Sequence, residues 1–203
     1  MARIGSVEEL RRLYPEPKGR AVSKVFHRLE EQSRKFIALS PFVLVATSGP
    51  QGTDVSPKGD RPGFVRVVDD VTLALPDRPG NNRLDGFENV LSNPHVGLIF
   101  MIPGFNETFR VNGSGEIRDD EDLLAGFEVD GKRPKACLVV TVEEAFLHCA
   151  KALMRSRLWD PDARVPRDAL PTTAEMMRAQ TGDTAIADES DEAAAERYKK
   201  VLY

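Results

Sequence analysis

The chain has 203 residues, 41% hydrophobic and 30% charged, and 28 basic against 32 acidic residues give a net charge of −4. This length suits one domain with appendages, and the apolar content excludes a wholly disordered chain. The acidic balance argues against a nucleic-acid-binding protein, and no apolar run approaches the ~20 residues of a membrane span. Because the first residues lack the apolar core of a signal peptide, we expect a cytoplasmic protein.

Helices are predicted before the first strand. Ser6 and Glu9 have the S-x-x-E spacing of a capping box, which indicates the start of a short helix. A longer amphipathic helix is predicted over about residues 20–39, where apolar residues recur at helical spacing. We assign residues 1–40 to an N-terminal helical segment.

Short β-branched runs bounded by turn residues dominate the middle of the chain. The predicted strands lie at Phe42–Thr47, Phe64–Val68, Val71–Leu75, Val96–Ile102, Phe105–Ile117, Cys137–Val142 and Ala145–Leu147. About six short strands with few intervening helices favour a small barrel or sandwich over a doubly wound parallel sheet. We assign this β-rich domain to residues 41–161 and a helical C-terminal appendage to residues 162–203.

A first basic cluster, Ser56–Arg61, follows a polar strand and is predicted to be a loop bounded by glycine and proline. A hydroxyl, the Lys58 ammonium and flexible backbone amides could together bind a phosphate. An ordinary solvated turn explains the same composition.

A second cluster, Asp77–Arg83, leaves a strand and opens a helix predicted at about residues 82–92. A helix N-terminus favours an anion, and the Arg83 guanidinium could bind two phosphate oxygens at once. The alternative is a helix capped by Asn81 or Asn82 with Arg83 in solvent.

A third cluster lies on a helix predicted from His148 through Leu158. Lys151, Arg155 and Trp159 are spaced i, i+4 and i+8, so they would share one face and could bind a planar anionic ligand. A surface ladder of cations and an indole is the alternative.

The two cysteines, Cys137 and Cys149, have no spacing of a metal site and are interpreted as buried small hydrophobic residues. His95 and His148 stand in apolar contexts typical of core histidines. We therefore predict no metal site and no catalytic side chain.

These segments, in this order, resemble the pyridoxamine 5′-phosphate oxidase-like, FMN-binding split-barrel family and its flavoprotein branch. The segments that carry the resemblance are Phe42–Thr47, Asp54–Asp60, Gly63–Val65, Leu75–Arg83, Asn93–Phe100, Arg110–Gly113 and His148–Pro161. The resemblance implies a mainly β protein with flanking helices, a six-stranded split β-barrel that forms a homodimer with FMN at the dimer interface.

The resemblance also implies site residues for FMN. The phosphate would lie against Lys58 and Arg83, assisted by Ser56 and Asn82. The isoalloxazine would lie over barrel backbone near Leu75, Pro76 and Val111, and the residues reaching it from the second subunit would be Lys151, Arg155 and Trp159.

The leading hypothesis is an FMN-dependent oxidoreductase with an unidentified small-molecule redox substrate. The tail after Pro161 lacks the arginine- and histidine-bearing substrate motif of true pyridoxamine phosphate oxidases, so vitamin B6 oxidation is not expected. The alternative is a non-catalytic carrier of FMN, haem or a deazaflavin, and a haem carrier would need an axial histidine.

Overall fold

Seven antiparallel strands form one sheet in the part of the chain that the structure, a computed structural model, describes, residues 3–203. The strands are β1 (Phe42–Gly49), β2 (Gly52–Gly59), β3 (Arg66–Val67), β4 (Thr72–Pro76), β5 (His95–Met101), β6 (Thr108–Arg118) and β7 (Cys137–His148). The helices are α1 (Val7–Leu13), α2 (Arg20–Ser23), α3 (Glu31–Leu39), α4 (Asp85–Ser92), α5 (Glu121–Ala125), α6 (Lys151–Ser156), α7 (Thr173–Thr181) and α8 (Asp191–Lys199). Across this same range, no helix is both long and apolar enough to cross a membrane.

The strand order is β2-β1-β5-β6-β7-β4-β3, and the predicted mainly β class with flanking helices is confirmed. The described residues contain seven strands rather than about six, because the segment after β1 forms a full strand, β2, and β3 keeps only two residues of the strand predicted at Phe64–Val68. The segments Cys137–Val142 and Ala145–Leu147 form one strand, β7, because a bulge opposite Asn112 and Gly113 absorbs the break in the apolar pattern. A Cβ on Gly113 would lie 2.0 Å from the Thr141 carbonyl oxygen, so the close approach of β7 requires glycine there.

One apolar core fills the concave side of the sheet. Its residues come from β1, β4, β5, β6 and β7, and α3 and α4 add Ile37 and Val90. Each strand contributes alternate residues, as Val43 and Val45 of β1 show, because successive side chains of a strand point to opposite faces. A smaller cluster on the other side packs α5 against β4 and β7.

The sheet curls until its two ends approach each other. β2 is the first strand in the order and β4 is the sixth, yet Lys58 of β2 lies 3.1 Å from Asp77, which directly follows β4. The sheet is therefore a barrel left open along one side, a split barrel. We call the gap between the ends of β2 and β4 the seam.

The prediction of a single helix over residues 20–39 is wrong. The structure has two helices, α2 and α3, because Phe26 between them exchanges two backbone hydrogen bonds with Ala145 of β7, at 2.9 and 2.7 Å. The Glu30 carboxylate then accepts from the backbone of Gln32 and Ser33 and starts α3. A long-range β-bridge thus interrupts a pattern that is helical by periodicity alone.

The helix predicted from His148 to Leu158 is also shorter than expected. α6 ends at Ser156 because Arg157 adopts the left-handed conformation with φ of 52°. By contrast, the predicted cap of α1 is confirmed, with the Ser6 hydroxyl accepting from Glu9 N. A capping box also starts α7, where the Thr172 hydroxyl accepts from Glu175 N.

Candidate functional site

A cavity of about 520 Å³, its open mouth included, lies at the seam between β2, β4 and the start of α4. Its polar lining consists of Thr47, Asp54, Ser56, Lys58, Asp77 and Arg83. Its apolar lining consists of Val45, Leu75, Pro76, Leu84, Phe87 and Leu138.

Strand β2 supplies three of the polar groups from one face. Asp54, Ser56 and Lys58 are half-buried, while the residues between them are exposed, as the two-residue period of a strand requires. The sequence-based prediction of a loop over Ser56–Arg61 is therefore wrong for Ser56–Gly59, which belong to β2. Pro57 is compatible with the strand because β2 lies at an edge of the sheet, where a missing N–H breaks no ladder.

Arg83 reaches the cavity from the segment between β4 and α4. The helix predicted from residue 82 begins only at Asp85, with Leu84 as the N-cap, so neither Asn81 nor Asn82 caps it. Asn82 instead adopts a left-handed conformation with φ of 57°. Arg83 thus lies before the helix, on an extended loop, Asp77–Leu84.

Each cation of the cavity has an acidic neighbour. Lys58 Nζ lies 3.1 Å from Asp77 Oδ1, and Arg83 Nε lies 2.9 Å from Asp85 Oδ2. The hydrogen bond and the charge of Asp85 raise the pKa of Arg83 above its ordinary value, so it stays a cation. Lys58 is further restrained by the Phe87 ring, whose centroid lies 6.0 Å from Nζ.

A second ion pair crosses the seam beside the first. Arg78 Nε lies 2.6 Å from Asp60 Oδ2, and the Asp60 side chain is only 3% exposed. Burial raises the pKa of Asp60, but hydrogen bonds from Tyr203, the Arg61 N–H and Arg78 outweigh it and lower the pKa below the ordinary range. The carboxylate is therefore charged at neutral pH, and the two ends of the sheet are joined.

The cavity suits a planar phosphate ester such as FMN. Two cations stand at its polar side, and the apolar residues opposite can cover a ring. An ammonium has three donors and a guanidinium five, so Lys58 and Arg83 keep donors for phosphate oxygens while bound to Asp77 and Asp85. The donor set fits a phosphate, whose oxygens would compete with these carboxylates.

The predicted residues are only partly brought together. Five of them line the cavity, namely Ser56, Lys58, Leu75, Pro76 and Arg83. Asn82 lines an adjoining groove that shares Lys58 and Arg83 with it. Val111 does not contribute its side chain, because it is fully buried in the core on β6.

The third predicted cluster lies elsewhere. Lys151, Arg155 and Trp159 are not among the residues that line the cavity within the described chain. The prediction that these three residues share one helical face is wrong, because α6 ends before Trp159. The Trp159 indole Nε1 instead donates a hydrogen bond to the Phe105 carbonyl oxygen at 2.7 Å. Lys151 and Arg155 are exposed on α6.

Two interpretations of single residues need correction. Cys137 is buried, and burial raises the pKa of its thiol, but Cys149 is exposed. His95 and His148 are exposed on β5 and β7 rather than buried in the core. Among the described residues, no group of three or more histidine, cysteine, aspartate or glutamate side chains could hold a metal ion.

The acidic residues of the cavity, Asp54 and Asp77, are absent from the sequence-based prediction of the site. Asp54 could have been found, because strand alternation places it on the same face as Ser56 and Lys58. Asp77 was named only as part of a basic cluster, and its pairing with Lys58 spans 19 residues. A local sequence pattern cannot predict a contact between opposite ends of a sheet.

Several solved structures are similar to the described fold. HupZ of Group A Streptococcus is 21% identical over 58% of this chain and 92% of its own, with a TM-score of 0.47. A Lactobacillus delbrueckii protein named as a candidate pyridoxamine 5′-phosphate oxidase is 22% identical over 60% and 95%, with a TM-score of 0.46. An FMN-binding protein of Syntrophomonas wolfei is 14% identical over 60% and 86%, with a TM-score of 0.47.

The family itself is identified by sequence. Comparison with curated proteins finds none that matches this chain. A sequence model described as pyridoxamine 5′-phosphate oxidase matches residues 29–149, more than half of the chain, from just before α3 to just past β7. This match spans every strand of the sheet and every polar residue of the cavity, and the chain therefore belongs to the pyridoxamine 5′-phosphate oxidase family.

Proposed function

We propose that the seam cavity binds FMN and that the protein is an FMN-dependent oxidoreductase with a small-molecule redox substrate. One observation carries the proposal: Lys58 and Arg83, from opposite ends of the sheet, share a cavity with an apolar lining. Family membership supports a flavin over other phosphate esters, because FMN is a common ligand of this family.

Lys58 and Arg83 would hold the phosphate of FMN. Ser56 would assist by turning its hydroxyl from Asp54, to which it donates at 2.6 Å, and Asn82 would assist from the adjoining groove. A charge-assisted hydrogen bond contributes about 1.5–3 kcal/mol, so two such cations suffice to anchor a dianion.

The apolar lining would exclude water from the ring. Leu75 and Pro76 are buried at the end of β4, and Leu138 of β7 and Phe87 of α4 complete this side. FMN, when bound, supplies hydride or two-electron transfer, so the cavity needs no nucleophilic side chain.

The proposal includes a homodimer. Lys151 and Arg155 are exposed on α6 and do not line the cavity of their own chain. In a symmetric dimer they would approach the flavin of the second subunit, and Trp159 would lie nearby. A cation beside the ring would favour its reduced, anionic form.

The visible absorption of the purified protein tests the proposal, followed by titration of flavin-free protein with FMN and riboflavin. We expect a flavin spectrum and binding of riboflavin about 100-fold weaker than FMN, because riboflavin lacks the phosphate. A colourless protein that takes up no FMN would overturn the proposal. Uptake of FMN without reduction by any small-molecule donor would support the carrier function instead.

A further inference from the structure

Tyr203, remote in sequence from the cavity, contacts the seam. Its hydroxyl donates to Asp60 Oδ1, and its ring centroid lies 5.4 Å from the Arg78 guanidinium carbon. Lys132 Nζ donates to the Tyr203 carbonyl oxygen at 2.7 Å, so the backbone at this residue is held as well. Three separate contacts thus fix Tyr203 over one ion pair.

The ion pair that Tyr203 covers is the more buried of the two at the seam. The side chains of Asp60 and Arg78 are 3% and 16% exposed, against 34% and 25% for Lys58 and Asp77. A buried carboxylate needs several donors to offset its lost hydration, and the Tyr203 hydroxyl is one of them. Arg78 also donates from Nη1 to the Phe127 carbonyl at 2.8 Å.

Arg78 belongs to the loop that carries Arg83. The residue before Arg78, Asp77, binds Lys58. Arg83 lies five residues after Arg78 in the same loop. Fixing Arg78 therefore restricts the loop at the end next to Lys58. Tyr203 contacts Asp60 and Arg78 and does not line the cavity itself.

We propose that Tyr203 is a positioning residue of the phosphate site, holding the Asp77–Leu84 loop so that Arg83 faces Lys58 across the seam. This inference rests on the proposed binding of FMN for its ligand. By linkage, phosphate binding to the loop strengthens the docking of Tyr203 to the same extent that docking strengthens phosphate binding.

The test compares the full chain with its Tyr203→Ala and Tyr203→Phe variants by titration with FMN and with riboflavin. Tyr14→Ala is the matched control, because Tyr14 is 61% exposed at the C-terminal end of α1 and lies outside both the cavity and the groove that Tyr203 shares with Asp60 and Arg78. We expect Tyr203→Ala to weaken FMN binding about fivefold and leave riboflavin binding unchanged, since only FMN uses the phosphate site. Tyr203→Phe keeps the ring over Arg78, so it should weaken FMN binding less than Tyr203→Ala does.

Amide hydrogen exchange in the flavin-free proteins gives a second measurement. Exchange in residues 77–84 should be faster in Tyr203→Ala than in the wild type and unchanged in Tyr14→Ala. Unchanged FMN binding in Tyr203→Ala, or equal losses for FMN and riboflavin, overturns the inference and leaves the proposed function standing. A wild type that binds no FMN overturns the proposed function, and exchange in residues 77–84 then decides whether Tyr203 positions the loop.

Discussion

At the scale of single residues, the fold holds the two cations of the cavity with different firmness. Lys58 is 34% exposed and lies between Asp77 and the Phe87 ring, whereas Arg83 is 74% exposed and rests on Asp85 alone among the described ion pairs. Lys58 is therefore pre-organised for an anion. Arg83 is held by fewer side-chain contacts, so its position depends more on its loop.

Arg83→Ala should weaken FMN binding about tenfold, the loss expected for one charge-assisted contact to phosphate. Riboflavin binding should stay unchanged, because it has no phosphate to lose. Both dissociation constants are measured by flavin fluorescence titration.

Arg118→Ala is the matched control for Arg83→Ala. Arg118 also pairs with an aspartate two residues further on, Asp120, but it lies away from the cavity lining. FMN affinity that is equal in the wild type and both variants would remove Arg83 from the site.

At the scale of elements, the seam depends on ion pairs more than on hydrogen-bonded strands. β2 and β4 are not neighbours in the sheet, yet Lys58–Asp77 and Asp60–Arg78 join their ends. Sequence patterns predicted most strands and the start of α1, because alternation and capping boxes are local signals. They failed for the helix over residues 20–39, where pairing of Phe26 with β7 overrides local periodicity.

Asp60→Asn should lower the free energy of unfolding by about 3 kcal/mol at pH 7, because it leaves the Arg78 charge buried without its partner. The pKa of Asp60 is lowered in the folded protein, so its stabilisation is complete above the unfolded-state value near 3.9 and is lost as pH falls through the folded value. The difference between wild type and variant should therefore shrink below about pH 4. Urea unfolding at pH 7 and pH 3 measures both effects.

Asp188→Asn serves as the control for Asp60→Asn. Asp188 pairs with Arg178 but its side chain is 90% exposed, so its loss should cost less than about 1 kcal/mol. An Asp60→Asn variant with the same stability difference at both pH values would contradict a charged Asp60 in the folded protein.

At the scale of the whole molecule, the site is divided between segments that lie far apart. Within one chain the cavity combines β2 with the loop after β4, while the exposed cations of α6 lie outside it. We predict that a second subunit completes the site. In a two-fold dimer, α6 of each subunit would lie at the cavity of the other subunit.

Mixing two defective variants tests this division. If Arg83→Ala and Lys151→Ala damage opposite sides of one shared site, mixed dimers contain one intact site and one doubly altered site. Unfolding and refolding an equal mixture should then restore about one quarter of the wild-type FMN sites. A mixture that binds FMN no better than the two variants measured separately would place both residues in one subunit's site, or Lys151 outside it.

Short-range sequence patterns predicted the β-rich fold class, most strand positions and the two basic clusters that contain Lys58 and Arg83, because alternation and clusters of basic residues are visible within short stretches. The position of Lys58 on a strand, the acidic neighbours Asp54 and Asp77, and the contact of Tyr203 with the seam are evident only in the folded chain. The physical reason is the curling of the sheet. It brings together β2, the end of β4 and Tyr203, which are separated by up to 143 residues of chain. Local periodicity cannot predict contacts over such separations.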